Sequence, residues 1–221
     1  VFNLTPFYPE GGGQVGDKGV IESQIETIAI VDTKKENNLI VHLIDELPKD
    51  VNANFMAKVD ASNRKASERN HTATHLLQES LIMVLGEHVV QKGSLVNPNY
   101  LRFDFTHFSK IEKSDLHKIE LDVNAKILAN ISLNEYVDLP LSKAEGMGAI
   151  MLFGEKYEDV VRMIQFDSSK ELCGGTHVKA TGEIGLFKII SEGSTSSGIR
   201  RIEAITGVSA LAYLNKKEDL L

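Results

Sequence analysis

The sequence predicts a mixed α+β fold with mostly antiparallel sheet, in which a small β-barrel-like piece (residues 1–60) precedes an α+β domain (residues 61–221). Three observations predict it. Short β-branched stretches alternate with turn signals in the first part, two amphipathic helix patterns follow, and strand patterns return after the second helix. Of the 221 residues, 42% are apolar and 25% are charged, which is typical of a globular protein.

The first sixty residues have the strand spacing of a small antiparallel barrel or curled sheet. We expect strands at residues 25–31, 39–44 and 55–59, with turns at residues 34–38 and 48–52. Residues 11–16 (GGGQVG) satisfy the G-x-G-x-x-G spacing, yet no strand precedes them and no helix follows, which excludes a dinucleotide fingerprint. The run is either a simple turn or a loop whose backbone approaches a ligand closely.

The second part begins with a long helix. Apolar residues recur at helical spacing through residues 64–85, Ser62 or Asp60 can cap the start, and Gly86 marks the end. We expect a second helix from Ser114 to about residue 130 and a last one from about Ser209. The remaining strands are expected near residues 101–105, 132–139, 160–166, 185–191 and 199–206.

Two half-motifs, far apart in the chain, could share one metal ion. His71 and His75 are four residues apart, so a helix would present both imidazoles on one face. Cys173 and His177 flank a Gly-Gly turn. Three imidazoles and one thiolate suit Zn²⁺. The alternative is that the first pair lies on a solvated helix face while Cys173 is a small buried residue and His177 caps a strand.

The first half-motif excludes one class of zinc enzyme. A metalloprotease H-E-x-x-H motif carries a glutamate next to the first histidine, and Thr72 stands there in this chain. A set of four protein ligands is also usual for structural zinc, so catalysis would need a fifth ligand or the release of one. The sequence therefore predicts a metal centre without identifying its general base.

The remaining candidate residues are weaker. Arg200 and Arg201 are neighbours on a predicted strand, so one faces each side; one could contact a phosphate, and a surface ion pair is an equal alternative. We interpret residues 91–93 (QKG) as a polar turn.

Bulk properties narrow the function classes. The formal charge of −7 argues against non-specific coating of nucleic acid, although a local basic patch could still dock RNA. One cysteine cannot form an internal disulfide, and no apolar run reaches the roughly 18 residues that a membrane span needs. We expect a cytoplasmic protein that contacts no membrane. Because the chain starts at Val1 within a patterned segment, we also expect a piece of a longer protein.

Taken together, the chain resembles the editing region of alanyl-tRNA synthetases over almost its whole length. Standalone alanyl-tRNA editing proteins share the two half-motifs, and the threonyl-tRNA synthetase editing domain is a more distant relative. The segments that carry the resemblance are Thr5-Pro-Phe-Tyr-Pro-Glu-Gly-Gly-Gly-Gln-Val-Gly-Asp17, Arg69-Asn-His-Thr-Ala-Thr-His-Leu-Leu77, Gln91-Lys-Gly-Ser-Leu-Val96, Leu101-Arg-Phe-Asp-Phe105, Leu152-Phe-Gly-Glu-Lys-Tyr157, Glu171-Leu-Cys-Gly-Gly-Thr-His-Val178 and Gly198-Ile-Arg-Arg-Ile-Glu-Ala204.

The resemblance implies a zinc-dependent aminoacyl-tRNA deacylase that cleaves the ester of Ser-tRNA(Ala) or Gly-tRNA(Ala) and spares alanine. It implies that Thr74 and Gln91 lie in the amino-acid pocket, and Thr74 could partner the serine hydroxyl. The residues that it implies as zinc ligands are His71, His75, Cys173 and His177. The glycine-rich loop that it places near the substrate consists of Gly11, Gly12, Gly13 and Gln14.

The partners implied are the acceptor end of tRNA(Ala) carrying serine or glycine and the remaining domains of the parent synthetase. The parent's aminoacylation site, with its ATP, has no counterpart in this chain, so we expect no tRNA charging. Two alternatives remain: a freestanding trans-editing deacylase, and a non-catalytic tRNA-binding module in which zinc only ties the Cys173 loop to the helix.

Overall fold

A computed structural model describes residues 1–151 and 156–220 and has the mixed α+β architecture predicted from the sequence. Its helices are α1 (Ala61–Leu85), α2 (Lys113–Leu128), α3 (Leu141–Gly146) and α4 (Gly207–Glu218), with a 3-10 turn at Thr181–Ile184. Its strands are β1 (Gly19–Glu22), β2 (Thr27–Ile30), β3 (Asp32–Glu36), β4 (Leu39–Leu43), β5 (Met56–Val59), β6 (Gln91–Val96), β7 (Leu101–Thr106), β8 (Asn134–Pro140), β9 (Val160–Phe166), β10 (Ser169–Leu172), β11 (Phe187–Ser196) and β12 (Ile199–Thr206).

All pairs of these strands run antiparallel, which confirms the predicted sheet type. The first sixty residues are β-rich, but their strands form two units and do not close into a barrel within the described residues. Strand β1 lies between β2 and β5, while β3 and β4 form a hairpin. The predicted strand at residues 25–31 is shorter in the structure, where β2 spans Thr27–Ile30. Residues 25 and 26 belong to the turn after β1, closed by the hydrogen bond from Ser23 N to Glu26 O, and β3 then pairs with β4 instead of widening the first sheet.

The turn of the β3–β4 hairpin is shorter than predicted. Asn37 and Asn38 have positive φ angles of 48° and 64°, which suits a two-residue hairpin turn. The predicted turn at residues 34–38 is therefore wrong at its start, since residues 34–36 belong to β3.

The division of the chain into two domains, residues 1–60 and 61–221, stays a prediction.

Helix α1 begins and ends at local signals. The Asp60 carboxylate accepts hydrogen bonds from the backbone N–H of Ser62 at 3.0 Å and of Asn63 at 3.1 Å, which makes Asp60 the N-cap. The N–H of Gly86 donates to the carbonyl of Ile82 at 2.9 Å, and Gly86 has φ 112°. Both ends agree with the sequence expectation.

The main core lies between α1, α2 and the four-stranded sheet β11–β12–β7–β6. Strand β7 alternates buried and half-buried residues, as its sequence predicted, and Phe103 and Phe105 are fully buried. Leu77 and Leu81 of α1 and Ile119 of α2 belong to the same buried cluster. Burial on this scale, about 1.5–3 kcal/mol for each large apolar side chain, makes α1 a fixed platform.

Residues 91–93, interpreted as a turn, instead begin strand β6, so that prediction is wrong. Their pairing with β7 is irregular: Gln91 lies opposite Phe105 and Gly93 opposite Asp104, with a register shift between them. A bulge of this kind lets a polar, glycine-containing stretch join a sheet. The sequence pattern therefore looked like a turn although the residues are paired.

A third sheet, β10–β9–β8, carries the loop that follows β10. The β9–β10 connection turns at Asp167, which has φ 53°. The segment at residues 152–157, which carries part of the family resemblance, lies partly outside the described residues, since residues 152–155 are not described. Among the described helices, none is both long and apolar enough to cross a membrane.

The start of the chain is anchored on α1 by a partly buried ion pair between Arg64 and Asp17. Arg64 Nε donates to Asp17 Oδ2 at 2.9 Å, and Arg64 Nη2 donates to the Pro6 carbonyl at 2.8 Å. The backbone N–H of Tyr8 donates to the same Asp17 carboxylate at 2.6 Å. These contacts hold the glycine-rich run against α1, and this determines which residues reach the site described next.

Candidate metal centre

The two half-motifs meet in space. Helix α1 presents His71 and His75, each only 4% exposed, with ring centroids 5.2 Å apart. Cys173 and His177 follow β10, and Cys173 Sγ lies 3.4 Å from His71 Nε2 and 3.3 Å from His177 Nε2. One ligand atom from each of the four residues lies within 4.8 Å of the others. The group could therefore bind one metal ion.

Two hydrogen bonds orient the histidine rings. His71 Nδ1 lies 2.7 Å from Gln14 Oε1, and His177 Nδ1 lies 3.0 Å from Thr72 Oγ1. In both rings the Nε2 atom is left facing the Cys173 sulfur. Metal-binding imidazoles are usually held in this way by a partner on the second nitrogen.

The surroundings of His75 are consistent with a metal at this cluster. The Nδ1 atom of His75 is buried and has no hydrogen-bond partner within the described part of the chain, while its Nε2 lies 3.4 Å from Glu171 Oε2. An orphaned buried nitrogen is rare in native structures, and an unplaced ion is one of its ordinary causes. Mixed imidazole and thiol donors are of the kind that suits a transition metal, so the group could bind such an ion.

The electrostatics keep the imidazoles neutral. Burial lowers the pKa of His71 to about 4, with the nearby positive charge of Arg162 as a second cause. Burial lowers the pKa values of His75 and His177 well below their ordinary value, with the neighbouring histidines adding to the effect. Neutral imidazole is the form that binds metal.

The acidic groups are shifted in the opposite direction. Burial raises the pKa of the Cys173 thiol to about 12, so a bound metal must displace its proton. Burial raises the pKa of Glu171 to about 8, and the negative charge of Glu79 adds to this. At neutral pH the metal-free centre therefore contains no charged side chain among its four ligands.

The Cys173 loop is held by a residue that sequence reasoning missed. Arg162 Nη1 donates to the carbonyls of Cys173 and Gly175, both at 2.8 Å, and its Nε contacts Glu135 at 2.6 Å. In the β9–β10 hairpin, Leu172 pairs with Met163, so Cys173 lies beside Arg162 and donates its backbone N–H to the Arg162 carbonyl at 3.1 Å. Recognising that hairpin from sequence would have placed Arg162 beside the metal loop.

Gly174 and Gly175 differ in their surroundings. A Cβ on Gly175 would lie 2.1 Å from His71 Cε1 and 2.9 Å from Gln14 Oε1, whereas nothing lies within 4 Å of a Cβ on Gly174. Glycine is therefore required at position 175 and not at 174, because the His71 ring occupies the space that a side chain on residue 175 would fill.

A cavity of about 500 Å³ opens beside the cluster. Its lining brings Thr74 and Gln91, both predicted as pocket residues, next to three of the metal-binding candidates. Thr74 Oγ1 donates to the carbonyl of Asn70 at 2.8 Å, so its lone pairs are left to accept a hydrogen bond. The lining residues that matter for chemistry are Gly12, Lys35, His71, Thr74, His75, Gln91, Lys156, Arg162, Glu171 and Cys173.

The glycine-rich run reaches the cavity at one residue, Gly12. Residues 11–14 form a turn in which the Gly11 and Gln14 backbones exchange hydrogen bonds at 3.0 and 3.1 Å. Gly13 has φ 84°, and a Cβ there would lie 2.2 Å from Ser94 Oγ. The close backbone approach that its sequence suggested is thus made to strand β6, and Gln14 points to the metal centre instead.

Arg200 lies away from this cavity. It pairs with Glu192 on the neighbouring strand β11, and Arg201 forms two hydrogen bonds to Asp104 at 2.7 and 2.8 Å. The two arginines are thus engaged in ion pairs within the sheet. The structure brings neither of them to the metal cluster or to the cavity lining.

Comparison with known proteins gives two family matches. Residues 161–203 match the family described as the threonyl and alanyl tRNA synthetase second additional domain, and residues 1–63 match the family described as tRNA synthetases class II (A). The first match covers β9, β10 and the Cys173 loop, and the second covers the glycine-rich turn.

Curated alanine–tRNA ligases match all of this chain. The protein of Bacteroides fragilis is 57% identical over 221 residues, that of Flavobacterium psychrophilum 53% over 230 residues, and that of Porphyromonas gingivalis 50% over 222 residues. Each alignment covers 100% of this chain and 25–26% of the relative. The chain therefore spans about a quarter of the length of the relatives that it matches.

Proposed function

Because the chain belongs to the alanyl-tRNA synthetase family and includes an editing-related second additional domain, we propose that it hydrolyses mischarged tRNA(Ala). The ester bonds cleaved are those of Ser-tRNA(Ala) and Gly-tRNA(Ala), and Ala-tRNA(Ala) is spared. The observation that carries the proposal is the single cavity in which Thr74 and Gln91 adjoin His71, His75 and Cys173.

Zinc is the proposed metal, held by His71, His75, Cys173 and His177. Three imidazoles and a thiolate match its preferred nitrogen and sulfur donors, and the converging ligand atoms support this assignment. When bound, zinc supplies a Lewis acid that can polarise an ester carbonyl or hold a polar group of the substrate.

Thr74 is proposed to separate serine from alanine. Its hydroxyl proton is donated to Asn70 O, so Oγ1 accepts the proton of the serine hydroxyl. Alanine offers a methyl group there and leaves a buried acceptor without a partner, which costs about 1–3 kcal/mol. This contact does not explain glycine, whose inclusion as a substrate rests on the family resemblance.

Gln91, which lines the same cavity, is proposed to orient the aminoacyl group. Its amide is half-buried at the irregular start of β6 and offers both a donor and an acceptor. Thr74 lies on α1 and Gln91 on β6, so the substrate would be contacted by two regular elements, which position a reacting group more precisely than loops do.

The proposed partner is the acceptor end of tRNA(Ala), with the other domains of the synthetase supplying further contacts. Lys35 and Lys156 line the cavity beside the cluster, and ammonium groups there would attract the terminal phosphates. The net charge of −7 makes this a local effect rather than a general affinity for RNA.

The test measures deacylation of Ser-tRNA(Ala), Gly-tRNA(Ala) and Ala-tRNA(Ala), with zinc quantified in the same preparation. We expect serine and glycine to be released, alanine to be retained, and about one zinc ion per chain. Cys173→Ala should lose both metal and hydrolysis, because it removes one of four ligands. Full activity of Cys173→Ala would remove the metal from the mechanism. A zinc-loaded chain that cleaves none of the esters, even with the other synthetase domains added, would refute the function.

A second function is favoured by one observation: four side chains bring one ligand atom each to within 4.8 Å of the others, and four protein ligands are the usual number in structural zinc sites. In that case the chain is a zinc-stapled tRNA-binding module. It would bind tRNA(Ala) with zinc present and release no amino acid, even when the other synthetase domains are added. Hydrolysis by the zinc-loaded chain would exclude this alternative.

A further inference from the structure

Gln14 joins three separate parts of the metal centre. Its side chain is fully buried, although it belongs to the glycine-rich turn near the start of the chain. Its Oε1 lies 2.7 Å from His71 Nδ1 and accepts the backbone N–H of Thr176 at 3.0 Å, and its Nε2 donates to Thr176 Oγ1 at 2.9 Å. One amide therefore contacts a helix ligand and the loop between the two downstream ligands.

These contacts determine the proton position on His71. The Thr176 N–H is a donor only, so the Gln14 atom facing it must be the amide oxygen. That oxygen can only accept, so His71 must carry its proton on Nδ1. The His71 Nε2 atom then has a free lone pair, and it is this atom that lies 3.4 Å from Cys173 Sγ.

Gln14 has little freedom to move. Its turn is tied to the end of β6 by two backbone hydrogen bonds, from Val96 N to Gly13 O at 2.7 Å and from Val15 N to Val96 O at 3.0 Å. On the other side, Gly175 approaches so closely that a Cβ there would lie 2.9 Å from Gln14 Oε1. The amide is therefore held by backbone on two sides and can impose its orientation on the His71 ring.

We propose that Gln14 is the positioning residue of the metal centre, holding His71 as the Nδ1–H tautomer with Nε2 free to bind metal and fixing the Thr176 loop to the same point. The inference rests on the metal site in the proposed function. It gives the glycine-rich turn a role in assembling the centre, in addition to lining the cavity at Gly12.

The first experiment compares zinc affinity, by competition with a chelator, in Gln14→Leu and Gln14→Glu. The leucine variant removes the acceptor, and we expect the zinc dissociation constant to rise about 10–100-fold, as for other partners of metal-binding histidines. The glutamate variant keeps an oxygen for both His71 Nδ1 and Thr176 N, so it should restore most of the affinity. Wild-type affinity in Gln14→Leu, or equal losses in both variants, would overturn the proposal.

Thr33→Val is the matched control. Thr33 is also fully buried in the first part of the chain, and its Oγ1 donates to the Asp17 carbonyl at 2.8 Å without contacting any ligand. It should lose stability like Gln14→Leu but keep the wild-type zinc affinity. A comparable loss of zinc affinity in Thr33→Val would mean that general destabilisation accounts for the effect, which would refute the positioning role.

A second measurement needs no variant. In the metal-free wild-type chain, ¹⁵N-detected imidazole spectra should show His71 as the Nδ1–H tautomer, and finding the Nε2–H tautomer would overturn the proposal even if the variants fail to fold. These readouts are metal affinity and tautomer, not ester hydrolysis. A correct Gln14 assignment in a chain without deacylase activity would therefore refute only the proposed function.

Discussion

Replacing Gly175 by alanine tests the packing of the metal centre most directly. The new methyl carbon would lie 2.1 Å from Cε1 and 2.5 Å from Nδ1 of His71, and 2.9 Å from Gln14 Oε1. Ordinary contact between carbon atoms is about 3.5–4.0 Å, so the imidazole would have to retreat by roughly 1 Å or more. The loop cannot easily yield instead, because Arg162 holds the Gly175 carbonyl at 2.8 Å.

The expected magnitude has two parts. Overpacking a well-filled site costs about 1–3 kcal/mol, which for a chain of this size lowers Tm by roughly 2–12 °C. Metal sites tolerate ligand displacements of only about 0.2 Å, so a shift of roughly 1 Å in His71 should weaken zinc binding by at least about 100-fold. We therefore expect the substitution to reduce zinc affinity clearly while lowering the stability of the fold only moderately.

Gly174→Ala is the control, because no atom lies within 4 Å of its Cβ position. Neither glycine has a positive φ, so the two substitutions differ only in what the methyl group meets. Zinc affinity by chelator competition and Tm by calorimetry should both change in Gly175→Ala and stay near wild type in Gly174→Ala. Equal effects of the two substitutions, or a wild-type zinc affinity in Gly175→Ala, would refute the packing argument.

Three further predictions concern specificity, the helix cap and pH. Thr74→Val should lower the ratio of kcat/KM for Ser-tRNA(Ala) over Ala-tRNA(Ala) by about 5–150-fold, equivalent to 1–3 kcal/mol, while zinc content is unchanged; an unaltered ratio would rule out its role. Asp60→Ala removes the α1 cap and should lower the free energy of unfolding, measured by urea titration, by about 0.5–2 kcal/mol. Deacylation should be unaffected because His71 lies about 16 Å further along the helix. In the metal-free chain, burial lowers the pKa of His71 to about 4. The unfolded chain then takes up that proton first, and stability should fall as pH drops from about 6.5 towards 4, by about 1.4 kcal/mol per pH unit for each such histidine. The raised pKa of Glu171 acts in the opposite direction and offsets the contribution of one of the three histidines. Stability that is flat over this interval in urea titrations would contradict the burial of the neutral rings.

The metal centre combines groups from three regions of the chain. His71 and His75 come from α1, Cys173 and His177 from the loop after β10, and Gln14 from the turn near the start. The two family matches divide these regions, since one covers residues 1–63 and the other residues 161–203. A substitution in any of the three regions that displaces one of these five side chains should therefore change metal affinity.

The sequence by itself determined the features that depend on nearby residues. Helix α1 was predictable because its apolar spacing, its cap at Asp60 and its end at Gly86 all act within a few residues. Strand β7 was predictable for the same reason, because the alternation of apolar and polar residues lies within the strand itself. The four candidate ligands could be proposed from sequence because three imidazoles and one thiolate together suit Zn²⁺, and the structure brings one ligand atom of each within 4.8 Å of the others.

Only the tertiary structure decided the features that depend on distant partners. Residues 91–93 look like a turn locally, yet they pair with β7. The β-rich start forms a sheet and a hairpin instead of a barrel because β3 pairs with β4. The contact between Gln14 and His71 joins residues 57 positions apart, which only the fold brings together. The role of Arg162 follows from the pairing of β9 with β10, which the sequence analysis did not predict. Strand pairing and burial involve separations that no short sequence pattern encodes.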